Sequence, residues 1–346
     1  MIRIFDNTKV FVYCPARVAT GGAELLHQVV HILNEAGRAA YIVYHDDRSA
    51  KVPVEYQNYN LKVAAEVEDS AENILVLYEA LFDKYRSVKN CQLICWWLSV
   101  DNFYICSTSY LSVRDYLKWD AAMALRVLKH RAFQLLKGHN YFSSALSLKE
   151  LSASSAVNCY QSEYAQHFLH TNGFSEILPL MDFINLDFYS PNDNTVRENK
   201  VLYNPKKGFK FTQQLMSAAP HLKWVALENM SRAQLLHEFQ TSKLYVDFGY
   251  HPGKDRIPRE AAINGCCVIT NRAGSARYFE DVSIYKEYKF DERTADRKEI
   301  IALMDDIMAD YDKHAPNFDF YRTRILKEKE EFVQQVYQLF SIKNTH

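Results

Sequence analysis

The sequence predicts an α/β fold with two doubly wound, Rossmann-like domains that face a central cleft. Three observations lead to this prediction. The chain has 346 residues, more than one hydrophobic core usually supports. Short apolar runs alternate with helix-like segments, as in a parallel sheet that is buried on both faces. A polar, turn-rich stretch at residues 185–199 interrupts the alternation near mid-chain, as a domain linker does.

The first half of the chain alternates strands with helices. Predicted strands cover residues 9–14, 39–44, 73–78, 92–98 and 155–160. The first helix is predicted over residues 23–36, where leucine and valine recur on one helical face and Gly37 marks the end. A second helix is predicted over residues 162–171, because Asn172 and Gly173 favour termination there.

The second half repeats the pattern. Predicted strands cover residues 200–203, 222–227, 244–248 and 266–270, and predicted helices cover residues 209–219 and 231–241. A further helix is expected to carry Pro258 in its first turn, where the missing N–H of proline costs little, and to end at Gly265. Glu260 is expected in the same first turn, where the helix dipole favours a carboxylate.

These elements predict a first domain at residues 1–190, a second domain at 191–325 and a C-terminal helix at 326–346. Within the first domain, residues 111–139 carry six basic side chains against two acidic ones, together with many apolar side chains. The basic residues are Arg114, Lys118, Arg126, Lys129, Arg131 and Lys137. This pattern predicts a basic amphipathic helical insertion, which is either a cationic surface helix or a peripheral contact with an anionic membrane.

The composition is that of a folded, soluble protein. A formal net charge of -1 and an aromatic content of 14% argue against a nucleic-acid partner. The seven cysteines show no paired metal-ligand spacing and are expected to be buried, reduced thiols. The N-terminal sequence has neither a signal-peptide pattern nor a long apolar run, which predicts a cytoplasmic location.

Polar clusters follow several predicted strands, at the carboxyl ends where doubly wound sheets bind ligands. They are residues 21–24, 101–102, 204–208 and 251–260. The last cluster combines the turn glycine Gly253 with the cations His251, Lys254 and Arg256. The turn at residues 273–276 is expected to offer backbone amides to an anion. The sequence therefore predicts an anion and sugar site, and the alternative is an ordinary αβ unit with a charged rim.

Several motifs together resemble those of the two-domain GT-B glycosyltransferases, especially bacterial enzymes that build surface polysaccharides. They are Gly21-Gly22-Ala23-Glu24, Lys206-Lys207-Gly208, Arg259-Glu260-Ala261-Ala262 with Gly265, and Ala273-Gly274-Ser275. The resemblance implies an acceptor-side first domain, a second domain that binds a nucleoside-diphosphate-sugar donor, and a last helix that crosses back to the first domain. It also implies a glycan or lipid-linked glycan acceptor.

The resemblance assigns roles to individual residues. Gly21 and Gly22 would let backbone amides approach the donor diphosphate, Lys207 with Lys206 would clamp it, and Glu260 would hold the nucleotide ribose. Further donor contacts would come from Asn204, His251, Gly253, Lys254, Arg256, Gly274 and Ser275. For His251 the alternative is a solvated loop histidine.

Two departures from the family pattern leave the stereochemistry open. Many retaining members carry a glutamate eight positions before Glu260, where this chain has Pro252. Many also carry an arginine before the clamp lysine, whereas residues 201–204 contain none. Lys254 or Arg256 would then supply the second cation.

Asp101 is the first candidate for a catalytic base, because it follows an apolar strand that ends in Trp96 and Trp97. The alternative is an Asx turn with Asn102. Glu24 is the second candidate, against a simple role in the first turn of its helix. Trp96 and Trp97 point to opposite faces of their strand, so at most one stacks on a sugar and both are candidates for the core.

No metal and no other cofactor is expected, because lysines can neutralise a departing diphosphate and no carboxylate cluster has clear metal-binding spacing. Asp46 and Asp47 follow a strand, but Arg48 beside them opposes a metal site. Two other functions stay open: a nucleotide-sugar epimerase of the same fold, and a non-catalytic subunit that binds a nucleotide sugar.

Overall fold

A computed structural model describes residues 2–18, 20–106, 125, 128, 129, 132, 133, 135, 136, 147–185, 189 and 196–342. The chain forms two compact units. Unit 1 comprises residues 1–161, 165–181 and 332–346, and unit 2 comprises residues 162–164 and 182–331. Most of the predicted basic insertion at 111–139 and part of the predicted linker at 185–199 lie outside the described residues.

Unit 1 contains a parallel sheet with helices. Its elements are β1 (Lys9–Cys14), α1 (Gly21–Glu35), β2 (Ala39–Tyr44), β3 (Ile74–Tyr78), β4 (Gln92–Trp97), α2 (Val100–Cys106), α3 (Leu148–Ser152), β5 (Val157–Tyr160), α4 (Glu163–Thr171) and β6 (Ile177–Pro179). The first two residues of α4 belong to unit 2. Among the described residues the sheet has six strands, in the order β2-β1-β3-β4-β5-β6, and each neighbouring pair is parallel.

Local sequence explains the boundaries of α1. Thr20 is the N-cap, and its side chain accepts a hydrogen bond from the Ala23 amide. At the other end Gly37 has a φ of 76°, in the left-handed region that glycine adopts readily. The apolar face between them is buried against the sheet, so the predicted helix is confirmed.

Unit 2 contains a second parallel sheet. Its elements are β7 (Glu198–Tyr203), α5 (Phe209–Ala218), β8 (Lys223–Ala226), α6 (Arg232–Thr241), β9 (Ser242–Asp247), α7 (Arg256–Ile263), β10 (Cys267–Asn271), β11 (Lys289–Phe290), α8 (Arg297–Ala309), α9 (Tyr311–His314) and α10 (Asp319–Leu339). The described strands follow the order β11-β10-β9-β7-β8, again with parallel pairs. The two predicted doubly wound domains are therefore confirmed.

The last helix, α10, begins in unit 2, and its residues from Phe332 onward belong to unit 1. Phe332 stacks on Trp96, with ring centroids 6.2 Å apart. Gln335 accepts a hydrogen bond from the Met181 amide at 2.8 Å. The C-terminal helix thus returns to the first unit, as the resemblance implied.

Two further expectations concern cysteines and membrane-spanning helices. Cys14, Cys91, Cys95, Cys159, Cys266 and Cys267 are buried and free, which confirms the expectation of buried thiols for these six. Among the described residues, no helix combines the length and the apolar character that a membrane crossing requires.

Candidate functional site

Loops from three neighbouring strands of unit 2 meet at the carboxyl edge of its sheet. β7, β9 and β10 are adjacent in the strand order, and the loops after them carry most of the residues predicted to bind the donor. The loop after β7 contacts the loop after β9, which in turn contacts the turn after β10. This is the position at which doubly wound sheets bind ligands.

Two glycines allow the loops after β7 and β9 to touch. Gly208 has a φ of 62°, and a Cβ at this position would lie 2.1 Å from the carbonyl oxygen of Phe248. A Cβ on Gly249 would lie 2.6 Å from the Cβ of Lys207. Asn204 shapes the same loop, because its side-chain oxygen accepts a hydrogen bond from the Lys206 amide at 3.0 Å. The backbone approach places Lys207 directly beside the loop after β9.

A chain of alternating charges runs from Lys207 into the interior of unit 2. The Lys207 ammonium donates to both carboxylate oxygens of Asp255, each at 2.9 Å. Asp255 Oδ2 lies 3.0 Å from His251 Nδ1, and His251 Nε2 lies 3.8 Å from Asp247 Oδ1. Asp247 also accepts hydrogen bonds from the Gly249 amide and the Tyr245 hydroxyl. The side chain of His251 is fully buried, so the interpretation as a solvated loop histidine is wrong.

The protonation states within this chain follow from burial and from the neighbouring charges. Burial lowers the pKa of His251, but the charges of Asp247 and Asp255 outweigh this effect and raise the pKa above its usual value. Burial raises the pKa of Asp255, but His251 and Lys207 outweigh it and lower the pKa overall. Protonated His251 and ionised Asp255 therefore stabilise each other.

Asp247, His251 and Asp255 also place one potential metal-ligand atom each within 4.8 Å of the others. The donor set fits a metal ion poorly, because other groups already use these atoms. Both oxygens of Asp255 face the Lys207 ammonium, and those of Asp247 accept from a backbone amide and a phenol. Two cations already balance the two carboxylates, which removes the electrostatic reason for a bound cation.

The turn after β10 braces the loop after β9. The Ser275 amide donates to the His251 carbonyl oxygen at 2.9 Å, and the Ser275 hydroxyl donates to the Gly253 carbonyl oxygen at 2.6 Å. A Cβ on Gly274 would lie 1.9 Å from the His251 carbonyl oxygen. The amides of Ala273 and Ala276 also donate to acceptors in their own turn. These contacts define the backbone around His251.

Helix α7 carries the carboxylate that the resemblance assigns to the nucleotide ribose. Pro258 is the third helical residue and so lies in the first turn, as predicted, but Glu260 is the fifth helical residue and lies in the second turn. The expectation that Glu260 occupies the first turn is therefore wrong, and the dipole argument does not apply to it. Glu260 is buried, and its Oε1 lies 3.4 Å from a guanidinium nitrogen of Arg256, one turn earlier.

Lys254 takes part in a buried ion network of unit 2. Its ammonium lies 2.7 Å from Glu328 of α10. The fully buried Arg259 donates to Glu328 and to Asp182, each at 2.8 Å, and to the Lys254 carbonyl oxygen. The structure thus places Lys254 with Arg259, whereas Lys207 and His251 belong to the charge chain. Within the network, the cations Lys254 and Arg259 pair with the carboxylates Asp182 and Glu328, which makes the burial of these charges tolerable.

The remaining predicted site residues belong to unit 1. Gly21 and Gly22 form the first two positions of α1, which begins two residues before its predicted start at residue 23. Gly22 is exposed. Glu24 is 8% exposed and accepts a hydrogen bond from the Tyr59 hydroxyl at 3.0 Å. Glu24 therefore contacts a neighbouring segment besides lying in the first helical turn.

Asp101 lies in the first turn of α2 and is 2% exposed. The Asn102 amide donates to the Ser99 hydroxyl at 3.1 Å, so Ser99 shapes this turn. Glu79, which follows β3, accepts a hydrogen bond from the Leu98 amide at 3.0 Å. Burial raises the pKa of Glu79 to about 7, although hydrogen bonds from Leu98, Asn102 and Ser99 oppose the shift. A carboxyl group with a pKa of about 7 therefore contacts the segment that leads into α2.

Trp96 and Trp97 are both core residues. Neither side chain is exposed. The Trp96 indole N–H donates to the Leu180 carbonyl oxygen, and the Trp97 indole N–H donates to Asn158. Trp97 also packs against Phe82, Phe103, Phe168 and Phe174. The interpretation of both tryptophans as core is confirmed.

Sequence reasoning missed Asp247, Asp255, Arg259 and Glu79 as members of these networks. A signal existed for the two aspartates, because they flank His251 at a spacing of four residues on either side. For Arg259 and Glu79 the partners are distant in sequence, and no local pattern indicates the pairing.

Comparisons with known proteins identify the fold. No family model matches the sequence, and no curated protein matches it. The structure is similar to sucrose-phosphate synthase from Thermosynechococcus elongatus, with a TM-score of 0.64 and 12% identity over 97% of this chain and 98% of that chain.

A glycosyltransferase from Rickettsia africae gives a TM-score of 0.58 and 12% identity over 99% of this chain and 100% of that one. Anabaena HepE in complex with UDP-glucose gives a TM-score of 0.57 and 10% identity over 96% of this chain and 98% of that one. The fold is therefore that of the GT-B glycosyltransferases, as the sequence motifs indicated.

Proposed function

We propose that this chain is a glycosyltransferase that moves a sugar from a nucleoside-diphosphate-sugar donor to a glycan or lipid-linked glycan acceptor in bacterial surface polysaccharide synthesis. The observation that carries the proposal is the position of Lys207 in a GT-B fold. Its ammonium lies at the carboxyl edge of a doubly wound sheet, beside two loops that glycines bring into contact. HepE, which has a similar structure, was obtained with UDP-glucose.

In the proposed reaction the bond between the anomeric carbon and the diphosphate oxygen breaks, and the acceptor oxygen forms a new bond to that carbon. The diphosphate leaves with the bonding electron pair, and Lys207 stabilises its charge. Lys206, its neighbour in sequence, and Arg256, the first residue of α7, are proposed as further cations. Glu260 holds the ribose. Asn204, Gly253 and Lys254 are proposed to complete the donor site. His251 is proposed to support it by holding Asp255, and Gly274 and Ser275 by holding the loop after β9.

The proton of the acceptor hydroxyl passes to a carboxylate. Asp101 is the first candidate and Glu24 the second. Replacing Asp101 by Asn should lower turnover by about 10²- to 10⁴-fold while donor binding persists. Normal turnover of Asp101→Asn would reject this role and direct attention to Glu24.

The reaction is proposed to need no metal. Support comes from Lys207 and His251, which already balance Asp255 and Asp247. Turnover should therefore persist in excess EDTA. A large loss in EDTA that Mg²⁺ or Mn²⁺ restores would contradict this proposal.

The acceptor proposal includes a cytoplasmic location with a peripheral membrane contact through residues 111–139. In this stretch the described side chains of Leu125, Leu128, Phe133, Leu135 and Leu136 are all at least half exposed. Exposed apolar side chains among basic residues favour binding to an anionic bilayer. Wild-type protein should co-sediment with anionic vesicles, and Leu136→Glu should weaken this binding. Equal recovery with and without vesicles would reject the contact.

The donor site can be tested with a panel of nucleoside diphosphates and their sugars in a thermal-shift assay, because a ligand that binds only the folded state stabilises it. Lys207→Met should weaken the best ligand by about 10- to 100-fold, the value of a charge-assisted hydrogen bond. Lys223→Met is the matched control, since Lys223 is exposed and pairs with Glu198.

Product analysis then separates the candidate functions. Sugar transfer to an added glycan acceptor supports the glycosyltransferase. Conversion of the donor sugar without an acceptor indicates an epimerase, and binding without either reaction indicates a non-catalytic subunit. Absence of binding to every nucleotide, with equal behaviour of wild type and Lys207→Met, would reject the donor site.

A further inference from the structure

The pairing of Lys207 with Asp255 has a consequence for the proposed donor site. Lys207 is the residue proposed to bind the diphosphate, yet its ammonium faces both oxygens of a carboxylate at 2.9 Å. The Lys207 side chain is 36% exposed and that of Asp255 17% exposed. A diphosphate that arrives from solvent therefore meets a cation whose charge is already balanced.

Asp255 pairs with Lys207 instead of capping the helix that follows it. Asp255 is the N-cap residue of α7, and aspartate at this position usually accepts a hydrogen bond from the second or third helical amide. Here its side chain makes no such bond. The third helical residue is Pro258, which has no amide hydrogen to donate. The carboxylate is directed at Lys207 and His251 instead.

His251 gives Asp255 a second cation. The imidazole Nδ1 lies 3.0 Å from Asp255 on the buried side, and the Ser275 amide and Gly274 hold the His251 backbone. If Lys207 turns to a phosphate, Asp255 keeps a charged partner and does not become an unpaired carboxylate. The loss of the Lys207 contact is therefore tolerable, which would not hold for an isolated pair.

We propose that Asp255 is an internal counter-ion that competes with the donor diphosphate for Lys207, and that His251 holds Asp255 when Lys207 is released. This inference rests on the proposed function, because it takes Lys207 as the diphosphate ligand. It makes Asp255 a residue that lowers affinity for anions and so favours release of the nucleoside diphosphate product.

The test is calorimetric titration of inorganic pyrophosphate into the chain of 346 residues at low salt. Asp255→Asn and Asp255→Ser both remove the charge, and both keep a residue favoured at helix N-caps, so α7 should still form. Each should bind pyrophosphate about threefold to tenfold more tightly than wild type, the effect of one nearby charge in a partly solvated site. Asp305→Asn, which removes an exposed carboxylate paired with His221, should bind as wild type does.

The double variant Lys207→Met/Asp255→Asn shows whether the gain acts through Lys207. The gain in pyrophosphate affinity caused by Asp255→Asn should vanish in the Lys207→Met background, because the effects of two substitutions at interacting residues are not additive. Equal or weaker binding by both Asp255 variants would overturn the inference and make Asp255 an orienting partner of Lys207. If wild type binds neither pyrophosphate nor any nucleoside diphosphate, the proposed donor site itself fails, and the inference fails with it.

Discussion

Gly208 lies so close to the carbonyl oxygen of Phe248 that a Cβ on Gly208 would be only 2.1 Å from it. The loops after β7 and β9 therefore meet backbone to backbone, and no side chain fits between them. The contact places Lys207 beside Gly249 and within reach of Asp255. The geometry of the proposed donor site depends on this glycine.

Replacing Gly208 by Ala should destabilise the protein by about 3 kcal/mol or more. Left-handed backbone costs a residue with a Cβ about 1–2 kcal/mol, and the clash with Phe248 adds to this cost. Gly173→Ala is the matched control, since Gly173 has a φ of 83° and open space where a Cβ would lie. Chemical denaturation should show a loss of about 1 kcal/mol for the control. Equal losses would mean that the two loops separate easily.

Replacing Arg259 by Met should lower the free energy of unfolding by about 3–5 kcal/mol, because it removes the cation shared by two buried carboxylates. Arg259 is fully buried between Asp182 and Glu328. The control is Arg293→Met, which breaks an Arg–Asp pair with Asp291 in which the arginine side chain is 77% exposed. The control should cost less than about 1 kcal/mol in urea denaturation. Similar costs for both variants would show that the buried network adds nothing specific.

His251 should stabilise the fold most at low pH. Its pKa in the folded chain is raised above the ordinary value of 6.5, so its contribution is complete below about pH 6.5 and is lost as the pH rises through the folded-state pKa. The free energy of unfolding of wild type minus that of His251→Gln should therefore fall with increasing pH. His221→Gln, at an exposed position, should differ from wild type by about 0.5 kcal/mol or less. A difference that grows with pH would contradict the charged state of His251.

Ionisation of Glu79 should lower the stability of the folded chain at high pH. Burial raises its pKa from 4.5 to about 7, so the stability linked to its protonated form is complete below about pH 4.5 and lost as the pH rises through 7. Between pH 5 and 8 the stability of wild type relative to Glu79→Gln should fall by about 2–3 kcal/mol. Urea denaturation across this range measures it, with the exposed Glu287→Gln as baseline. Parallel curves for wild type and Glu79→Gln would mean that Glu79 does not titrate in this range.

The sequence was sufficient to predict the elements whose local pattern is strong. β1 and β2 have the predicted bounds, because each is an apolar run between clear turn residues. The short strands β6 (Ile177–Pro179) and β11 (Lys289–Phe290) were not predicted. Two or three residues form a strand only when a neighbouring strand pairs with them, and this pairing has no local signature.

The same distinction applies to the candidate site. Lys207 and Gly208 were predicted as part of a polar cluster at the candidate site, because residues 204–208 follow a predicted strand. The partner of Lys207 was not, since Asp255 lies 48 positions away in the sequence. At Glu260 the prediction failed for a local reason: α7 begins at Arg256, so Pro258 is at the end of the first turn and Glu260 lies beyond it.

Ser275 bonds to both His251 and Gly253, two residues of the loop after β9. That loop precedes β10 in the chain, but the contacts that shape it come after β10. During folding the loop can reach its final conformation only after β10 has joined the sheet. We therefore expect this edge of unit 2 to become ordered late in folding. Amides of residues 249–255 should accordingly gain protection from hydrogen exchange after those of β7 and β9.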